Sequence, residues 1–168
     1  MTIFSGWRDF YQVTGEAAAT LTGLLFVVVT LTAGRQSPAG NQGARLFTSP
    51  TVFHLASVLV ISALALAPDG EMALSGAIMT GWSGAGLIFA VGVAVRILRL
   101  EARSHWTDFW WYGFAPSLTY AVLAAANACA LARLTHAAYA VALGLLLALV
   151  VAIRNAWDLA TWLAIRRD

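Results

Sequence analysis

A single carboxylate lies inside the first long apolar stretch of the chain, residues 12–33. It belongs to Glu16, and the side chains that share its face at helical spacing are mostly small or polar. They are Gln12, Thr20, Gly23, Val27 and Thr30. An ionisable group within a membrane span costs about 3 kcal/mol or more at the bilayer centre, and it usually faces protein or water. We therefore expect this face to line an ion or proton pathway, with the threonine hydroxyls as further ligands.

The same pattern also has a purely structural interpretation. Glu16 lies within about two helical turns of the membrane surface, where its carboxylate can reach lipid headgroups or an arginine. Threonine and glycine let helices approach closely in lipid, so they are also typical of packing faces. The spacing alone does not separate these two interpretations.

Composition places the chain in the bilayer. Of its 168 residues, 60% are hydrophobic and only 11% are charged, and the mean hydropathy is +0.76. A soluble domain has about a quarter charged residues. The formal net charge is +2, and every basic residue is arginine, mostly at an end of an apolar block. That placement is typical of membrane orientation and does not favour nucleic-acid binding.

The apolar blocks predict a single transmembrane domain over residues 1–168, built as an all-α bundle of five spanning helices. Their predicted ranges are about 10–33, 51–67, 72–100, 112–133 and 137–165. Residues 34–50, rich in Gly, Pro, Ser and Asn, are predicted to be a loop. Residues 154–168 are predicted to continue the last helix as an amphipathic extension on the cytoplasmic side.

The arginines predict the orientation. Most of them fall in the connectors after the first and third helices and at the C-terminus, which share one side of a five-span bundle. The positive-inside rule then places the N-terminus outside and the C-terminus in the cytoplasm. A four-span arrangement, in which the first helix lies flat or the second and third form a re-entrant pair, is the alternative.

Three further groups of residues are candidates for a role. Asn127 lies in the fourth apolar block, where its amide is either glue between helices or a polar station on the Glu16 pathway. Arg154 and Asp158, spaced i,i+4, form either a simple surface pair or a cytoplasmic gate or docking contact. A stripe of small residues in the third block predicts helix packing or a subunit interface. Its members are Ala77, Gly81, Gly84, Ala85 and Gly92.

Motifs for catalysis or for a cofactor do not stand out. The chain has no GxSxG elbow, no HExxH pair and no P-loop, so we do not expect an enzyme. The lone Cys129 cannot form an intrachain disulfide or a thiolate metal site. A haem or metal site would need histidines at matching depth: His54 and His105 could lie close together, but His136 is predicted on the opposite side. We expect no metal and no cofactor.

Two functional hypotheses follow for this small bacterial-type membrane protein of the inner (plasma) membrane. The first is a homo-oligomeric ion channel or pore with a cation preference, because one five-helix subunit is too small to enclose a wide pathway but several copies can. The alternative is a non-conducting accessory or scaffold subunit of a larger membrane complex, docked through its glycine-rich third helix and aromatic connector.

Overall fold

The computed structural model describes residues 3–32, 38–67, 72–99 and 106–165. At residues 5, 32, 38–49, 72, 108 and 162–165 it describes the backbone only. Within these ranges every regular element is helical and no strand occurs, which confirms the all-α prediction.

Five long helices form the bundle in the described part of the chain. They are α1 (Arg8–Thr32), α2 (Pro38–Ala65), α3 (Met72–Arg99), α4 (Ala115–Leu131) and α5 (Ala137–Ile165). A 3-10 turn, Ser5–Trp7, precedes α1. One α-helical turn, Trp106–Asp108, and a π-helix, Phe109–Phe114, lead into α4. Helices α1 and α2 run antiparallel, because Gly15 near the start of α1 lies against Ser62 near the end of α2.

Four helical stretches are long and apolar enough to cross a membrane, which confirms the transmembrane character of the protein. They are Arg8–Leu31, Ala73–Arg99, Phe109–Leu131 and Ala137–Thr161. The apolar part of α2, Pro50–Ala65, is shorter than the roughly 20 residues that a span across the hydrocarbon core requires.

Helix α2 begins much earlier than its sequence suggests. Residues 34–50 were expected to be a loop and the helix to cover 51–67, but the helix begins at Pro38, continues through Pro50 and ends at Ala65. Proline is well suited to the first turn of a helix, where its missing N–H has no partner to lose. Inside a helix it removes one hydrogen bond, a loss that membrane helices tolerate. The loop predicted from the Gly, Pro, Ser and Asn content was therefore wrong for residues 38–50.

A π-helix precedes α4, in a region where the sequence predicts an ordinary helix beginning at about residue 112. Pro116 explains it, because its ring would clash with the carbonyl of Tyr112, four residues earlier in an α-helix. Widening the preceding turns to π geometry relieves that clash. The wider turns also bring Gly113 against α3, where an added Cβ would lie 3.0 Å from the Cβ of Ala94.

The turn between α4 and α5 closes with left-handed residues. Arg133 has φ of 58°, and the adjacent N–H of Leu134 donates to the carbonyl of Cys129 at 3.0 Å. This is the Schellman arrangement, in which glycine usually occupies the left-handed position. His136 is also left-handed, with φ of 69°. The turn thus holds α4 and α5 as an antiparallel hairpin.

Close contacts between helices are made by glycines outside the predicted stripe. A Cβ at Gly86 would lie 2.4 Å from the Tyr120 ring, and one at Gly144 would lie 2.6 Å from the Leu123 side chain. By contrast, a Cβ at Gly81, Gly84 or Gly92 would meet no atom within 4 Å. Ala77, Gly81, Ala85 and Gly92 are exposed. The stripe therefore does not pack the subunit internally, and its part in a subunit interface stays a prediction.

We expect Gly86→Ala to lower the free energy of unfolding by about 1–3 kcal/mol, because the added methyl group overlaps the ring of a buried tyrosine. Reversible unfolding of the purified protein in mixed micelles with increasing SDS measures the loss. Gly81→Ala is the matched control in the same helix, and it should lose no stability because its methyl group enters open space. Equal losses in the two variants would contradict this packing account.

Candidate functional site

The polar face of α1 lies on the outside of the subunit. Every predicted member of this face is exposed: Gln12, Glu16, Thr20, Gly23, Val27 and Thr30. The opposite face, with Thr14, Ala18 and Leu25, is buried against the other helices. A membrane protein packed alone would be expected to turn its polar face inward, so this arrangement is reversed. We call these six exposed residues the α1 polar stripe.

Hydrogen bonds leave the oxygen lone pairs of the α1 polar stripe available. Thr20 donates its hydroxyl proton to the carbonyl of Glu16 at 2.8 Å, and Thr30 donates to the carbonyl of Val27 at 2.9 Å. Each hydroxyl oxygen therefore still has acceptor capacity. Gln12 donates to the Glu16 carboxylate at 2.9 Å. In the part of the chain that the structure describes, no ion pair involves Glu16.

Glu16 lies in the first half of the apolar helical stretch Arg8–Leu31. It is eight residues beyond the start of α1 at Arg8, which corresponds to roughly 12 Å along the helix axis. At that depth a charged carboxylate that faces lipid is unfavourable. The α1 polar stripe thus presents the side-chain oxygens of Gln12, Glu16, Thr20 and Thr30 on a surface that no described residue of the subunit covers.

Asn127 does not join this row. It is fully buried, and its amide nitrogen donates to the hydroxyl of Ser83 at 2.9 Å and to the carbonyl of Met79 at 3.4 Å. Both partners belong to α3, so Asn127 links α4 to α3. Within one subunit Asn127 therefore holds α3 and α4 together through hydrogen bonds. It does not share a polar pathway with Glu16 there.

A second set of polar side chains meets inside the bundle, and sequence reasoning did not bring it together. Tyr120 of α4 donates its hydroxyl proton to Ser57 of α2 at 2.8 Å, and the indole N–H of Trp82 on α3 donates to the same Ser57 oxygen at 3.0 Å. Ser57 donates in turn to the carbonyl of Phe53 at 2.8 Å. Nδ1 of His54 lies 3.0 Å from the Tyr120 hydroxyl. We call His54, Ser57, Trp82 and Tyr120 the buried polar cluster.

The hydrogen bonds of the buried polar cluster determine which ring nitrogen of His54 carries the proton. The single hydroxyl proton of Tyr120 goes to Ser57, so its oxygen can only accept from Nδ1 of His54, which must carry the ring proton. Nε2 is then an acceptor, and it is buried without a partner among the described residues. The cluster joins side chains from three different helices, so no helical period in the sequence predicts their contact. The sequence does show each of them as a polar residue within an apolar block.

Arg154 and Asp158 form an ion pair on the half-exposed surface of α5. The Arg154 guanidinium also lies over the Trp111 ring, 5.4 Å from its centroid, a distance at which cation–π attraction operates. The neighbouring Asn155 is fully buried and donates to the carbonyl of Trp111 at 3.2 Å, while Tyr112 donates to the carbonyl of Asn155 at 3.3 Å. These bonds fasten α5 to the π-helix.

Metal-binding geometry is not found among the described residues, where no three His, Cys, Asp or Glu side chains come together. His105 lies outside the described residues.

Comparison with known proteins gives no relative from which a role could be transferred. No family model, no curated protein and no solved structure matches the chain.

We expect Tyr120→Phe to lower the free energy of unfolding by about 1–3 kcal/mol, because it leaves Nδ1 of His54 buried without its partner. SDS-driven unfolding in mixed micelles measures this loss. Tyr139→Phe is the matched control, since Tyr139 is 63% exposed and should be nearly neutral. If Tyr120→Phe proves as stable as the wild type, the hydroxyl does not hold the cluster.

Proposed function

We propose that the protein is the subunit of a homo-oligomeric cation channel in which α1 lines the central axis. One observation carries the proposal: the α1 polar stripe, with its carboxylate, is exposed on the surface of a helical stretch long and apolar enough to span a membrane, while Thr14, Ala18 and Leu25 on the opposite face pack inward. In a lone subunit Glu16 would face lipid at an unfavourable free energy. Around a closed symmetry axis the same face borders a water-filled path.

The preference for cations follows from the chemistry of the stripe. Copies of Glu16 around an axis form a ring of carboxylates, which attracts cations and excludes anions. The hydroxyl oxygens of Thr20 and Thr30 continue the row with neutral acceptors, since their protons are committed to the helix backbone. Mutual repulsion between the carboxylates disfavours a dry contact and favours a hydrated opening with a bound cation.

The membrane arrangement that accompanies this proposal has five spans: the four long apolar stretches and α2, whose 28 residues are long enough to cross although its apolar part, Pro50–Ala65, is shorter than the others. The end of the bundle where α1, α3 and α5 finish carries, by sequence, eight arginines and four acidic residues, a net charge of +4. The opposite end carries, apart from Glu16, two arginines and three acidic residues, a net charge of −1. The positive-inside rule then puts the C-terminus in the cytoplasm and the N-terminus outside, in a bacterial inner membrane.

A second function has its own supporting observation. The small residues of α3 face outward, with open space around Gly81, Gly84 and Gly92. Such a surface allows another helix to approach closely. It supports a non-enzymatic accessory or scaffold subunit that docks on a larger membrane complex, whose arginine or lysine would then neutralise Glu16.

Disulfide cross-linking tests which surface faces a second copy. In a Cys129→Ala background, we expect Gly23→Cys to form dimers on oxidation in the membrane, because Gly23 belongs to the α1 polar stripe and has space for a side chain. Leu24→Cys is the matched control: it has the same depth and is also exposed, but it is rotated by about 100°. Gel mobility measures both. Equal cross-linking of the two variants would argue against α1 at the axis.

Ion flux tests conduction. We expect proteoliposomes of the wild type to pass monovalent cations, and Glu16→Gln to lower the cation-to-anion permeability ratio about tenfold, because the ring of negative charge is lost. Reversal potentials in planar bilayers measure this ratio. Glu16→Asp keeps the charge and should retain most of the selectivity. A folded wild type that is silent to Na⁺, K⁺ and H⁺ would overturn the channel and favour the accessory subunit.

A further inference from the structure

An apolar cleft opens on the outer surface between α4 and α5, away from the α1 polar stripe. Its volume is about 500 Å³, within the range of ligand-binding pockets. On one side lie Trp110, Phe114 and Leu118, and on the other lie Leu147 and Val150. All five side chains are exposed large hydrophobic groups. All the lining residues belong to two helical stretches that are long and apolar enough to cross a membrane, Phe109–Leu131 and Ala137–Thr161, so in a bilayer the cleft would meet lipid hydrocarbon.

A cation lies near one end of the apolar cleft. Leu147, Val150 and Arg154 follow one another at intervals of three and four residues, so they share one face of α5. From Leu147 to Arg154 the helix rises by roughly 10 Å. Across the cleft, the chain runs from Leu118 back to Trp111, over whose ring the Arg154 guanidinium lies. The walls of the cleft are therefore apolar, and the Arg154 guanidinium lies beside the cleft, against its lining residue Trp111.

The end of the cleft near Arg154 is held rigidly. Asn155 and Tyr112 exchange hydrogen bonds with backbone carbonyls across the α5 and π-helix contact, so Trp111 and Arg154 keep their relative positions. The π-helix carries Trp110 and Trp111, and the α-helical turn before it carries Trp106; amphipathic aromatic rings of this kind favour the lipid headgroup region.

We infer that the cleft is a binding site for one anionic phospholipid, with an acyl chain between α4 and α5 and the phosphate near Arg154. Charge selects the headgroup: this end of the bundle has a net charge of +4 by sequence, and the exposed Arg96 and Arg99 of α3 form no ion pair with any described residue. A guanidinium recognises phosphate oxygens through paired hydrogen bonds. Asp158 competes for the same guanidinium, so it tunes the site.

This inference does not rest on the channel proposal, because no residue of α1 lines the cleft. A phospholipid fits the cleft better than a second copy of the chain does. A second copy would have to bury an arginine together with bare hydrocarbon walls, whereas a phospholipid matches both parts with one molecule.

Native mass spectrometry of the purified protein tests the inference, with dioleoyl phosphatidylglycerol and dioleoyl phosphatidylcholine offered in equal amounts. We expect one phosphatidylglycerol to be retained per subunit in preference to phosphatidylcholine. Arg154→Gln should reduce this preference about tenfold, because a hydrogen-bonded charge pair is lost. Asp158→Asn should increase the preference, because it frees the guanidinium. Arg133→Gln removes an arginine at the opposite end and should leave the preference unchanged.

A variant that fills the cleft tests the inference without a change of charge. Val150→Trp places an indole in the cleft and should reduce retention of both lipids, with helix content by circular dichroism confirming that the variant is folded. Equal retention of the two lipids by the wild type would overturn the inference, as would an Arg154→Gln variant with unchanged preference. A Val150→Trp variant that keeps its lipid but changes oligomeric mass would mean that a second copy covers the cleft.

Discussion

The buried side chain of Tyr120 on α4 joins three helices. Its ring lies against Gly86 of α3, and its oxygen bridges His54 and Ser57 of α2. Since hydrocarbon offers no water to a polar atom, each of these groups must find its partner inside the protein. The close approach of α3 and α4 at Gly86 makes that possible. The contact between Tyr120 and Gly86 therefore packs α4 against α3 and also positions the Tyr120 hydroxyl for its hydrogen bonds.

Seen from this core, α1 is the exception. Its hydroxyl group at Thr14 is satisfied inside the bundle, 3.0 Å from that of Ser62. Its carboxylate and the hydroxyls of the α1 polar stripe are turned outward. The bundle interior therefore does contain polar side chains that can form hydrogen bonds, but the residues of the α1 polar stripe do not bond to them. Polarity that stays outside at membrane depth is the feature that supports a pathway or an interface between subunits.

The hairpin of α4 and α5 gives the opposite surface a different character. Pro116 widens the preceding helix into a π-helix, which sets the tryptophans beside α5 and opens the apolar cleft. Arg154 is held beside the cleft by Trp111 and Asp158. One surface of the subunit thus carries a carboxylate at membrane depth, and another joins hydrocarbon walls to a cation. The two lie on different helices, so changes in one need not disturb the other.

The sequence by itself determined the solvent, the helical class and the α1 polar stripe. Apolar length measures membrane span directly, and a helical period assigns residues such as Glu16 and Thr20 to one face without knowledge of any neighbour. It did not predict the helix through Pro50, because composition favours a loop there, nor the π-helix before Pro116. Only the tertiary structure decided which way each face points. Gly86 rather than Gly81 became the packing glycine, and His54 met Tyr120. The physical reason is that these contacts join residues distant in sequence, and their positions depend on how whole helices rotate against one another.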